Sequence, residues 1–181
     1  MKGGQPRRAA LFLALGLGLG AAAGVVWWLV TDLPTFRVVN GGGAVTSERG
    51  LAGYIAADAW FVVCGAVVGV ALGVLTWRWF GRLGWPVVLL TVVAGAAAGF
   101  VCWAVGYLLG PGAFDVRLAA AKPGDLVPVE LTVRARAALL VWPLAAVVPV
   151  LLGTSLGRDP EFDAEAERAE LAVEPEEQVS G

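Results

Sequence analysis

The 181-residue chain has no histidine, only two cysteines and a single methionine. Without histidine there are no His-dependent catalytic dyads or triads and no imidazole metal ligands. Cys64 and Cys102 are isolated from each other in sequence, so neither a CxxC zinc site nor an iron–sulfur cluster can be assembled from them. Charge is scarce too: Asp, Glu, Lys and Arg make up 15% of the chain, against roughly 25% in soluble domains. The scarcity is concentrated. Segments 9–30, 59–77, 85–109 and 137–157 contain no charged residue at all.

What fills those segments is apolar. The chain is 58% hydrophobic with a mean hydropathy of +0.75, where soluble domains run at roughly 45–50% apolar. As helices the four segments measure about 28 to 37 Å, enough to cross a hydrocarbon core of about 30 Å. The expectation is an all-α membrane protein, a four-transmembrane-helix bundle with small β-hairpin and strand elements in its outer loops. The 158–181 tail carries nine acids against Arg158 and Arg168. It reads as an acidic, mostly solvated appendix that masks a basic membrane body.

Lys2, Arg7 and Arg8 precede the first segment, and Arg78 and Arg82 sit in the short turn after the second. Short basic flanks favour the cytoplasmic side, so both termini are expected in the cytoplasm of a multi-pass plasma-membrane protein. Arg134 and Arg136, ahead of the fourth segment, argue the other way. The first segment has the basic start of a signal peptide and an Ala21-Ala22-Ala23 site, but its apolar run continues to Val30, so an uncleaved anchor is the better reading. Trp27, Trp28 and Trp60 are read as an interfacial belt at one face, and Trp77, Trp79 and Trp85 at the other. Trp103 and Trp142 lie deeper, in packing contacts.

Small residues recur at helical spacing. Gly16, Gly20 and Gly24 form a stripe on the first segment, Gly65, Gly69 and Gly73 on the second, and Gly95 and Gly99 on the third. Such faces let backbones approach closely in lipid, where there is little hydrophobic drive between helices. They serve either packing within one bundle or a homo-oligomer. The pattern GxGxxA at Gly18–Ala23 is no dinucleotide site, because no strand precedes it. Pro143 and Pro149 interrupt the fourth segment and remove two N–H donors.

In the outer loops, 35–39 and 44–46 flank Asn40-Gly41-Gly42-Gly43 and read as a hairpin. Val127, Val129, Leu131 and Val133 alternate with polar or proline residues, the period of a strand, and Pro128 makes it an edge strand or is its first residue. The two segments lie on one side and can pair into a cap. Asp58 opens the second segment. It reads as that helix's N-cap, or as a partner- or ligand-facing carboxylate together with Arg134 and Arg136. No carboxylates or arginines show a catalytic spacing, so neither enzymatic activity nor a cofactor is expected.

Three short motifs resemble an uncharacterised actinobacterial membrane family, a domain of unknown function. They are Asp58-Ala59-Trp60-Phe61, with alanine where the family has glycine, then Leu108-Leu109-Gly110-Pro111 and Val141-Trp142-Pro143. The resemblance covers most of residues 10–155 and implies an integral membrane protein, without implying an activity. The expected partners are the lipid bilayer and another membrane or envelope protein, with no nucleic acid. The expected role is that of a structural or interaction (accessory) protein of the cell envelope; the alternative is a small channel or transporter, or a membrane subunit of one. The spans carry no ionisable residue of the kind that marks ion pathways.

Overall fold

In amphipathic helices of soluble proteins, polarity tells which face turns inward. These helices are apolar all round, so side-chain size has to do so. The computed structural model describes residues 5–39, 44–45, 48–81 and 84–156. Helix α1 (Gln5–Val30) buries Phe12, Gly16, Gly20, Ala23, Gly24 and Trp27, one stripe at three- and four-residue spacing. Its leucines and valines at 11, 15, 17, 25, 26, 29 and 30 face outward. Helix α3 (Pro86–Leu109) likewise buries Ala94, Gly95, Ala98, Gly99, Cys102 and Gly106. The small residues point in and the large aliphatic ones out.

The order along the chain is α1, β1 (Thr35–Val38), β2 (Ala44–Val45), α2 (Glu48–Phe80), α3, α4 (Phe114–Ala120), β3 (Leu126–Pro128) and α5 (Ala138–Leu156). Helices α1, α2, α3 and α5 are each long and apolar enough to cross a membrane. Three of them fall within a few residues of the charge-free segments. The second does not: α2 starts at Glu48, ten residues before Asp58, and at 1.5 Å per residue it is about 50 Å long. Absence of charge marks the part of a helix suited to hydrocarbon, and a helix can continue past it.

Glycine contacts reveal the directions of the helices. A Cβ on Gly20 would overlap the backbone of Ala98, and one on Gly24 would lie 2.7 Å from the Cys102 carbonyl oxygen; Gly106 abuts the Trp27 ring. Rising numbers on α1 meet rising numbers on α3, so the two run parallel. In the same way Gly65 meets Trp142, Gly69 meets Ala145 and Gly73 meets Ala146 and Pro149, so α2 and α5 run parallel. Gly95 lies against Pro143 and Gly99 against Trp142, which reverses the order and makes α3 and α5 antiparallel. Directions of the four long helices therefore alternate along the chain, up and down.

Two tryptophans fill the space that the glycines leave. Trp142 is fully buried between Gly65 and Gly99, and Trp27 is fully buried against Gly106. Phe61 joins them, with ring centroids 5.1 Å from Trp27 and 5.5 Å from Trp142. This corrects the belt assignment of Trp27. Trp28, one residue and about 100° further round α1, is the exposed member of the pair. The Trp27 indole N–H donates to the Ala57 carbonyl at 2.8 Å, whereas the Trp142 Nε1 has no hydrogen-bond partner among the described residues. Cys64 and Cys102 are free thiols in the same buried cluster.

The loops after α1 and α3 form a three-stranded antiparallel sheet in the order β2-β1-β3. Phe36 pairs with Val127 and Thr35 with Pro128, which leaves the proline strand at an edge. Beyond β3 the alternation persists without ladder pairing, and Val127, Val129 and Leu131 are all buried. The proposed glycine turn at 40–43 lies outside the described residues, as do Arg82 and the 158–181 tail. Helix α4 had no counterpart in the sequence reading. The chain divides into two compact units, 1–150 and 151–181. Of the second, 151–156 is described, the last turns of α5, where the Thr154 hydroxyl donates to the Leu151 carbonyl at 2.8 Å.

Overpacking a closed helix contact costs about 1–3 kcal/mol. Gly20→Ala and Gly73→Ala should therefore lower the thermal unfolding midpoint in detergent micelles by several degrees. Gly18, with nothing within 4 Å of an added Cβ, is the control, and Gly18→Ala should leave the midpoint unchanged or slightly raised. Equal midpoints for all three variants would contradict this packing.

Candidate functional site

One polar group lies where the first part of α2 meets the chain entering α5. Asp58 is not the N-cap of α2, because it lies in the second quarter of that helix. Its carboxylate reaches instead across to the chain entering α5. Oδ1 accepts the Arg134 backbone N–H at 3.0 Å, and Oδ2 accepts that of Ala135 at 2.9 Å. Capping is still its chemistry, but the N–H groups belong to a segment 76 residues away. Helix α5 then starts with i→i+3 bonds from the Ala138 and Leu139 N–H groups to the Ala135 and Arg136 carbonyls.

Arg134 lays its guanidinium over the Tyr54 ring, 4.0 Å from the centroid. That contact joins the early turns of α2 to the same segment by cation–π attraction. Arg136 is exposed, like Arg134. The structure thus brings Asp58 and Arg134 together through the backbone of residue 134, and Tyr54 completes the group. Tyr54 carries no sequence signal of its own; it is one turn before Asp58 on a helix whose start the charge pattern misplaces. Beside Asp58 runs an open groove of about 510 Å³, lined by Ile55, Ala59, Val62, Ala135, Ala138 and Val141. Both carboxylate oxygens are already engaged, so Asp58 acts here as a brace.

A second polar group holds the sheet to α4. Arg117 Nη2 donates to the Gly112 carbonyl at 3.1 Å and to the Pro128 carbonyl at 2.6 Å. Glu130 Oε2 accepts the Phe114 backbone N–H at 3.0 Å, meeting a donor that the first turn of α4 leaves open. Phe36 and Phe114, which follow the first and third spans, meet with ring centroids 5.4 Å apart. The turn from α4 to β3 is set by Gly124, whose φ of +99° suits glycine. Its N–H donates to the Val38 carbonyl at 2.8 Å, extending the join between the two loops.

The buried threonines in and next to the long helices are satisfied locally. Thr31, Thr76 and Thr91 donate to the Trp27, Leu72 and Val87 carbonyls at 2.7, 2.8 and 2.7 Å. Thr76 and Thr91 bond back one turn of their own helices, and Thr31, just past the end of α1, bonds back into its last turn. Among the described residues, no group of three or more Cys, Asp or Glu side chains is placed to hold a metal ion.

Fold and site together define a mostly helical protein with four helices long and apolar enough to cross a membrane and a small sheet-and-helix cap at one end. No protein-family model matches the chain, and no curated protein or solved structure matches it either.

Hydrogen bonds to a charged group contribute about 1.5–3 kcal/mol when buried, and less at a half-buried site. Asp58→Ala should therefore speed hydrogen exchange at the Arg134 and Ala135 amides by about tenfold, read by mass spectrometry on peptides covering 130–138. Arg134→Ala removes the stack on Tyr54 but keeps the backbone donors, so those two amides should stay protected. Equal loss of protection in both variants would contradict the brace.

Proposed function

We propose that the protein is a multi-pass membrane anchor of the cell envelope that presents the β1–β3/α4 cap as an interaction surface for another membrane or envelope protein. The observation that carries this reading is the closed interior of the bundle. Phe12, Trp27, Phe61, Leu72 and Trp142 are all fully buried, and the buried Thr76 and Thr91 bond to their own helices. A solute path needs polar groups that face a cavity, and ion-coupled transport ordinarily uses ionisable groups within the spans. Exposed apolar residues on the cap, Val116 and Leu126, supply surface for a partner. The basic flanks Arg7, Arg8 and Arg78 favour an orientation with both termini in the cytoplasm and the cap outside. The resemblance to the actinobacterial family, carried by its three motifs, agrees with an anchor and supplies no activity.

Two measurements test the reading. Vesicles containing the purified protein should hold an ion gradient as long as protein-free vesicles do; a gradient dissipated in proportion to protein content would favour the channel alternative. Lys122→Cys, in a chain with Cys64 and Cys102 replaced by alanine, should be labelled by an impermeant maleimide on intact cells, while Gln5→Cys should react only after lysis. The opposite pattern would invert the orientation and place the cap in the cytoplasm.

A further inference from the structure

At the end of the bundle away from the cap, Arg8 of α1 and Arg78 of α2 line one cleft of about 320 Å³, closed by Leu11 and Trp79. Among the described residues neither guanidinium has a hydrogen-bond or ion-pair partner, and both are exposed. Two like charges from different helices facing one cleft repel unless an anion lies between them. Guanidinium forks suit phosphate oxygens, which they can bind through two parallel N–H donors.

The surroundings point to the kind of anion. Leu11 and Leu15 follow Arg8 at i+3 and i+7, so they descend the same face of α1, and Val74 lies four residues from Arg78 on α2. All three are exposed large hydrophobic residues. Trp79, 43% exposed, places an indole at the level of the arginines, where amphipathic rings sit among headgroups. A free phosphate would use the arginines and leave this apolar ramp unused. A phospholipid would use both.

We infer that the α1–α2 seam binds an anionic phospholipid, with its phosphate between Arg8 and Arg78 and an acyl chain over Leu11, Leu15 and Val74. The site rests on the membrane reading above. It gives the anchor a preference for anionic lipid on the side of its termini. Basic clefts between helices on the cytoplasmic side are suited to such headgroups.

The test is thermal unfolding in neutral detergent micelles, titrated separately with phosphatidylglycerol, phosphatidylcholine and inorganic phosphate. Phosphatidylglycerol should raise the midpoint of the wild type, with phosphatidylcholine and inorganic phosphate giving little shift. Arg8→Gln and Arg78→Gln should each weaken the apparent phosphatidylglycerol affinity about fivefold, and Arg7→Gln, outside the cleft, should not. Arg78→Lys keeps the charge without the fork and should fall between wild type and Arg78→Gln. Equal shifts from both lipids, or equal weakening by Arg7→Gln, would overturn the site. An inorganic phosphate shift as large as that of phosphatidylglycerol would overturn its assignment to a lipid. Failure of the wild type to insert into phosphatidylcholine vesicles would instead count against the membrane reading itself.

Discussion

Close approach of helix backbones at glycine is the constraint on which the rest of this fold depends. In lipid, leucine gains almost nothing by turning inward, so cohesion between helices has to come from contact density. Dispersion falls steeply with separation, and a gap of even half an ångström forfeits a substantial part of each contact. Gly20 and Gly24 let α1 touch the backbone of α3, while Gly69 and Gly73 do the same for α2 and α5. The glycines also open notches wide enough for indoles. Trp142 occupies one between Gly65 and Gly99, and its N–H finds no acceptor among the described residues. An unmet buried donor costs about 1–3 kcal/mol. The ring is thus retained for its shape and area rather than for its hydrogen bond.

The same constraint orders the polar groups. A bundle closed by glycine and tryptophan has no room for charge within it, and the ionisable side chains are displaced to its two ends. At one end Asp58, Arg117 and Glu130 are spent on backbone groups, where they brace loops that carry little apolar core of their own. At the other, Arg8 and Arg78 are left facing a cleft. The side chains that brace the cap and the two arginines of the cleft are therefore separated by the length of the bundle. The cap is the built surface, and the opposite end is the one suited to an anionic headgroup.

The long apolar helices were legible because their signal is one of composition: charge-free runs mark α1, α3 and α5 to within a few residues. The start of α2 was not. Asp58 breaks the charge-free run, but a carboxylate in mid-helix is tolerated when distant N–H groups meet it, and those lie at residues 134 and 135. Position along a helix was easier to read than rotation about its axis. Trp27 and Trp28 are neighbours on α1, but one is core and the other exposed, and nothing in an all-apolar helix announces which. Inward alternation at Val127, Val129 and Leu131 was readable because the cap is a conventional half-buried surface. The seven residues of α4 were too few for a periodic signal, and the group at Tyr54, Asp58 and Arg134 depends on contacts across more than 70 positions.

The notch at Trp142 is the most direct place to test whether glycine and tryptophan hold the bundle as a pair. A Cβ on Gly65 would lie 2.6 Å from Trp142 Nε1, so Gly65→Ala, Trp142→Ala and the double variant form a thermodynamic cycle for unfolding in micelles. Gly65→Ala should destabilise the wild type but cost much less once Trp142 is alanine, with a coupling of about 1 kcal/mol or more. Strictly additive effects would contradict the account, because they would mean that the glycine and the indole do not fit one another.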